Sequence, residues 1–187
     1  MKPQTSILRS TTGILRMAFL NALVMAAPIL LRADDSGHHH ISSSKLVQIV
    51  RENTAQFINV NNLQGTGYAP AFGCVSGPDH GAMGIHYINL GLVGDGMLDE
   101  RHPEALIYEP VGSARRLVGV EYIVDAATWL AAHDNAPPQL EGQDFQFVDA
   151  PNRFGIPSFF ELHVWAWRDN PNGAYVDWNN NVSCEGE

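Results

Sequence analysis

Positive charge is scarce in this chain. Its 187 residues include 11 Lys and Arg against 20 Asp and Glu, for a formal net charge of −9. Four of the cations (Lys2, Arg9, Arg16 and Arg32) fall within residues 1–33, which leaves 7 basic against 20 acidic residues in the remainder. That balance argues against nucleic acid as a partner, because affinity for it comes largely from cationic contacts to phosphate. Long apolar runs are missing too. After residue 33 nothing approaches the roughly 20 apolar residues of a spanning helix, so no membrane span is expected once the N-terminal segment is removed. There is no Gly-x-Ser-x-Gly elbow, which argues against a serine hydrolase. The glycines match neither the dinucleotide fingerprint nor a phosphate loop with its lysine, and the acids from Asp95 onward miss the EF-hand spacing. Outside the tract His38-His39-His40, no two histidines stand at HxH or HExxH spacing.

What is present begins with an export signal. Lys2, Arg9 and Arg16 form a basic n-region, Met17–Leu31 a mostly apolar h-region, and Ala33 offers a small residue before a cut ahead of Asp34. A retained anchor is the alternative, but the apolar run is short for one. Residues 34–187 then form one exported domain, secreted or periplasmic, long enough to bury a sizeable core. In an oxidising compartment the two cysteines, Cys74 and Cys184, most simply form a disulfide. The competing reading makes Cys74 a nucleophile with His80 or His86 as base, and nothing in the sequence argues for the lowered thiol pKa it needs. The histidine tract 38–40 falls in a polar new N-terminus, where a solvated tail is the simpler reading.

Ser42–Ser44 offer N-caps, and Leu46, Ile49, Val50, Phe57, Val60 and Leu63 recur at helical spacing, so one helix is expected through about Asn61. Strands follow Cys74: Gly84–Asn89, Ala105–Glu109, Leu117–Val124 and Phe159–Trp167, with a short edge strand at Tyr175–Trp178. Leu90–Glu100 reads as a glycine-rich surface loop, Asp125–Asp134 as one or two helical turns, and Leu140–Pro157 as loop with a short apolar piece at Phe145–Val148. Short connections favour antiparallel neighbours. The expected fold class is α+β, an N-terminal helix packed on a mainly antiparallel β-sheet or small β-barrel in a single domain.

The chain is organised around Asp79–Asn89, where a glycine-rich turn enters a strand that points His86 to the face opposite Ile85 and Tyr87. In Leu117–Val124, alternation puts Glu121 with Gly119 and Ile123, opposite Val118, Val120, Tyr122 and Val124. In Phe159–Trp167 it groups Glu161, His163, Trp165 and Trp167. Buried ionisable groups on strands need partners. His86, Glu121 and His163 therefore form the candidate metal set, two imidazoles and a carboxylate for a divalent ion of unassigned identity, with His80 and Glu109 as additional candidates. Tyr87, Tyr122 and Trp165 are the candidate wall of a ligand pocket, although such aromatics are commonly core. Glu109, Glu121 and Glu161 can also supply a carboxylate pair for glycoside cleavage if their separation suits. His102 and His133 read as surface residues.

Several segments resemble an uncharacterised family of predicted secreted bacterial proteins: His80-Gly81-Ala82-Met83-Gly84-Ile85-His86-Tyr87, Pro103–Pro110, Leu117-Val118-Gly119-Val120-Glu121-Tyr122, Glu161–Trp167, and the Asn-Pro-Asn-Gly turn leading to Cys184. The resemblance implies export and a single domain, and no activity. The leading expectation is an exported protein that binds a metal ion or small molecule in a β-lined pocket. A metal-dependent enzyme on the same residues is the alternative, cupin-like by analogy only because the paired-histidine motif is missing. A structural or interaction protein with packed histidines is the third.

Overall fold

Ser44 starts the first helix. Its hydroxyl accepts from the Val47 backbone N–H at 3.3 Å, capping α1 (Lys45–Thr54), which buries Leu46, Val47, Val50 and Thr54. The computed structural model describes residues 44–187; the expected export signal and the histidine tract 38–40 lie outside them. The helix is shorter than its apolar spacing predicts. Thr54 is buried, donates its hydroxyl to the Val50 carbonyl at 2.6 Å and accepts from the Trp167 indole at 3.1 Å. Such back-bonding competes with continuation of the helix, and two 3-10 turns, Ala55–Ile58 and Val60–Leu63, carry the chain onward.

Alternation then takes over. The strands are β1 (Tyr68–Gly77), β2 (Gly81–Asn89), β3 (Ala105–Val111), β4 (Ala114–Asp125), β5 (Gln139–Leu140), β6 (Gln143–Asp144), β7 (Gln146–Val148) and β8 (Phe159–Val164). Six form one antiparallel sheet in the order β1-β2-β3-β4-β8-β7, curled into a half-barrel, while β5 and β6 pair separately. Helices α2 (Leu90–Asp95) and α3 (Ala126–Ala132) follow β2 and β4. The architecture is a single-domain α+β fold.

One face of the sheet carries the main core. Leu106, Tyr108, Val120, Tyr122, Leu162 and Val164 pack there against Leu46, Val47 and Val50 of α1. Each such side chain contributes about 1.5–3 kcal/mol on burial. The other face bears two smaller apolar groups: Ala82, Ile107, Val118, Trp165 and Val182 in one, and Ala105, Ile123 and Phe159 in the other. Val118 is on this second face because of a bulge. Ile107 pairs with Gly119 and Tyr108 with Leu117, so Val118 is the extra residue and alternation is interrupted there. Gly119 also permits a close approach, since a Cβ there would lie 2.8 Å from the Val164 carbonyl oxygen.

Other sequence expectations are corrected. Leu90–Asp95 is helical because the Asn89 side chain caps it, accepting from Gly91 and Leu92 N–H groups, and Gly96 ends it in the left-handed region. Strand β1 begins before Cys74, across a bulge that holds Phe72 and Gly73 at φ of 64° each. The strand around His163 stops at Val164, so Trp167 packs against the helix-side core instead of sharing the His163 face. Tyr175–Trp178 forms no strand. Asn170 and Asn179 bind backbone N–H groups two residues on, and the Trp165 indole donates to Val176. That leaves one bridge, Ala82 to Asn179.

The C-terminal tail is fastened to the sheet. Cys74 and Cys184 form a disulfide across 110 residues. Ser183 N–H donates to Glu109, whose carboxylate also pairs with Arg116, and Cys74 N–H donates to Glu187. At the far end of β3, Glu104 is buried and accepts the Ile123 N–H at 3.0 Å, continuing the hydrogen bonding where β4 outruns its neighbour. Burial raises its pKa from 4.5 to about 8, against the hydrogen bonds that favour the charged form.

Two measurements follow from these contacts. Cys74→Ser with Cys184→Ser should lower the stability of the chain by about 2–4 kcal/mol in urea unfolding, and the wild type should show no free thiol under denaturing, non-reducing alkylation. The native protein keeps the Glu104 proton where the unfolded chain has lost it. Its contribution is therefore full below the unfolded value of 4.5 and lost as pH rises through about 8. Glu104→Gln, which retains an acceptor for Ile123, should flatten that decline when unfolding free energies are compared at about pH 5 and about pH 8.

Candidate metal centre

The strand register explains why four ionisable side chains meet. Glu121 and His163 are directly paired across β4 and β8, and Glu161 lies two residues before His163 on the same face. His86 comes from β2, where it pairs with Ile107 of β3, and reaches diagonally across β3 to Glu121, whose own β3 partner is the small Ala105. Gly84 lets β2 approach. Its φ is +101°, and a Cβ there would lie 2.8 Å from the Tyr108 carbonyl oxygen.

His86 Nε2 lies 3.5 Å from His163 Nε2 and 3.3 Å from a Glu121 carboxylate oxygen. One ligand atom from each of the three lies within 4.8 Å of the others, and all three residues are buried. For an ion held tetrahedrally at about 2.0–2.1 Å, ligand atoms stand roughly 3.3–3.4 Å apart, so two of these separations suit a shared cation. Glu161, His163 and Asp177 form a second, overlapping group with the same spacing limit. His163 Nδ1 faces Asp177 at 3.6 Å, and Asp177 accepts from Gln146 at 2.5 Å. That spacing is just beyond a hydrogen bond, so Asp177 stands close to the place of a carboxylate that would orient a ligating imidazole without yet bonding it. These buried His, Glu and Asp groups can hold a metal ion.

The electrostatics point the same way. Burial, reinforced by the neighbouring His163, lowers the His86 pKa to about 3, so its imidazole is neutral and keeps a lone pair for ligation. Burial pushes the Glu121 carboxyl well above the usual carboxylate range, and its contact with Glu161 adds to the shift. Burial thus favours the protonated form of Glu121, and a dication would displace that proton. Nδ1 of both His86 and His163 is buried without a hydrogen-bond partner, an expense native proteins rarely leave uncompensated.

The cluster lies between the two apolar groups of its face. Trp165 flanks it, with its ring stacked on His163 at 6.0 Å between centroids. A cavity of about 30 Å³, room for one water or ion, is lined by His86, Glu121, Glu161, Met83 and six apolar residues. A second cavity of about 230 Å³ shares Phe72, Ile88, Ile123, Ile156 and Phe159 with it.

The remaining candidates lie elsewhere. His80 is exposed in the β1–β2 turn, His102 and His133 are exposed, and Glu109 binds Arg116 and the tail at the other end of the sheet. Tyr87 and Tyr122 are on the helix side, where Tyr87 meets the Tyr108 ring and the Tyr122 hydroxyl donates to Glu100. The expected aromatic wall is therefore not one surface, because strand alternation separates both tyrosines from Trp165. Glu121 and Glu161 are in hydrogen-bond contact, closer than glycosidase geometries require. Asp177 is an addition that no periodicity announced; Glu161 shared the parity of His163, a usable signal. Comparison with protein-family models, with curated proteins and with solved structures returned no match.

Proposed function

We propose that this is an exported protein that binds one divalent transition-metal ion through His86 Nε2, His163 Nε2 and Glu121, with a coordination position open toward the adjoining cavity. The observation that carries the reading is the convergence of three buried ligand atoms, two of their separations being 3.3 and 3.5 Å. Two imidazoles favour a borderline ion such as zinc over magnesium or calcium, which prefer all-oxygen sets. Asp177, 3.6 Å from His163 Nδ1, would orient and strengthen that imidazole as a ligand once a small movement closes the hydrogen bond. Export is supported by the basic and apolar pattern of residues 1–33, by the disulfide, and by the resemblance to secreted bacterial proteins. Among the described residues no helix is long and apolar enough to cross a membrane.

A catalytic reading rests on Glu161. Its carboxyl lines the small cavity beside the three proposed ligands without being one of them, the position of a general acid or base. On that reading Glu161→Gln keeps the metal and loses turnover across a substrate panel.

Elemental analysis of protein from metal-replete growth should find close to one ion per chain. His86→Ala or His163→Ala should lose most of it while the fold persists, and Asp177→Asn should weaken affinity about 10–100-fold. If the histidines are only packed, the same substitutions cost about 1–3 kcal/mol of stability with no metal to lose. Metal-free wild type, or variants that retain full occupancy, would refute the assignment.

A further inference from the structure

Resting on that metal-centre reading, we infer that the open side of the ion receives a small, uncharged, mostly apolar molecule with a terminal oxygen-donor group. Its body would fill the cavity between α2 and the 154–159 segment. The five residues common to the two cavities make them neighbours, one beside the proposed ligands and the other beyond it. The larger part adds Leu90, Val93 and Pro157 and a single charged residue, Asp125. At about 230 Å³ it is smaller than the roughly 300–1,000 Å³ of drug-sized sites, which suits one ring or a short chain.

The lining favours an uncharged body. Neither cavity is lined by Lys or Arg, so the one counter-charge for an anion would be the ion itself, already partly offset by Glu121, and the rest of the molecule would meet Glu161 and Asp125. An organic cation would meet the bound dication at the inner end. Asp125 is also committed, because its carboxylate caps α3 by accepting the Thr128 N–H at 2.8 Å. Donor oxygens are the chemistry left to hold the ligand's head, and they would bind the ion itself.

The lip of the cavity is built in an unusual way. Phe72 sits at φ 64°, a conformation costly for a bulky side chain, within the β1 bulge. That backbone turns its ring against Phe154 at 5.2 Å between centroids and leaves it 51 % exposed. Leu90, across the opening, is 77 % exposed. Bulges are used to re-aim side chains next to sites. Here the bulge places an aromatic ring in the wall of both cavities.

The test uses the mature chain loaded with cobalt(II), whose visible bands report changes in coordination. Benzamide and acetamide present the same uncharged carbonyl-oxygen head on a ring and on a methyl group. The ring compound should bind about tenfold or more tightly, since burying the ring recovers apolar area. Val93→Trp, which fills the larger cavity, should bring the two affinities together while cobalt content stays the same. Leu90→Trp, which like Val93 lines the larger cavity and not the smaller, provides the same test if the first variant fails to fold. Phenyltrimethylammonium should leave the spectrum unchanged. Equal affinities in wild type, a preference that survives both tryptophans, or tight binding of the cation would overturn the ligand class and leave the metal centre standing. Failure to take up cobalt would overturn the metal centre, and the ligand class with it.

Discussion

Placing two imidazoles and two carboxyl groups on a dry sheet face is the constraint that the rest of this structure answers. His86, Glu121, Glu161 and His163 are each nearly inaccessible, flanked on both sides by apolar side chains. Charged groups in that setting must pair, neutralise or bind an ion. The protein uses the first two in part: His86 is held neutral by its burial, and burial favours the protonated form of Glu121. What the chain itself leaves unmet are the imidazole Nδ1 atoms. A cation would answer the convergent Nε2 and carboxylate atoms, and Asp177 stands near enough to His163 Nδ1 to close its remaining position with a small movement.

The sheet supplies the rigidity such a site requires. Its helix-side face is a continuous apolar core under α1, so the strands cannot slip in register without exposing Leu106, Val120, Tyr122 and Leu162. The same register fixes Glu121 opposite His163. Stability and site geometry are thus set by one set of strand pairings, read from opposite faces. The curl of the sheet is consistent with that approach, since His86 of β2 and His163 of β8 lie 3.5 Å apart although β3 and β4 run between their strands.

Much of this was legible in the sequence, and the limits have physical causes. Period-two alternation identified the face of His86, Glu121 and His163 because all three occupy regular stretches of strand. It misplaced Val118, where a bulge adds a residue, and Trp167, where the strand ends early. Glycine content obscured α2, whose stability comes from the Asn89 cap. Strand β1 was hidden by Pro70, Phe72 and Gly73, residues that fit a bulged edge and not a regular strand. Asp177 had no sequence signal, because its position depends on how the tail folds back and not on any local period.

That tail ties fold to site. The disulfide joins Cys74, two residues beyond the strained Phe72, to the segment that brings Asp177 toward His163. One covalent link therefore restrains both the aromatic lip of the cavity and the carboxylate behind the imidazole. Glu109 and Arg116 add polar anchors at Ser183, and the Trp165 indole holds Val176 next to Asp177. In a small domain whose second face is covered by irregular chain, such fastening replaces the layer of helix that another fold would use. The cost is a tail that cannot move independently of the site. The result is a buried polar cluster that the surrounding backbone holds in register from both sides.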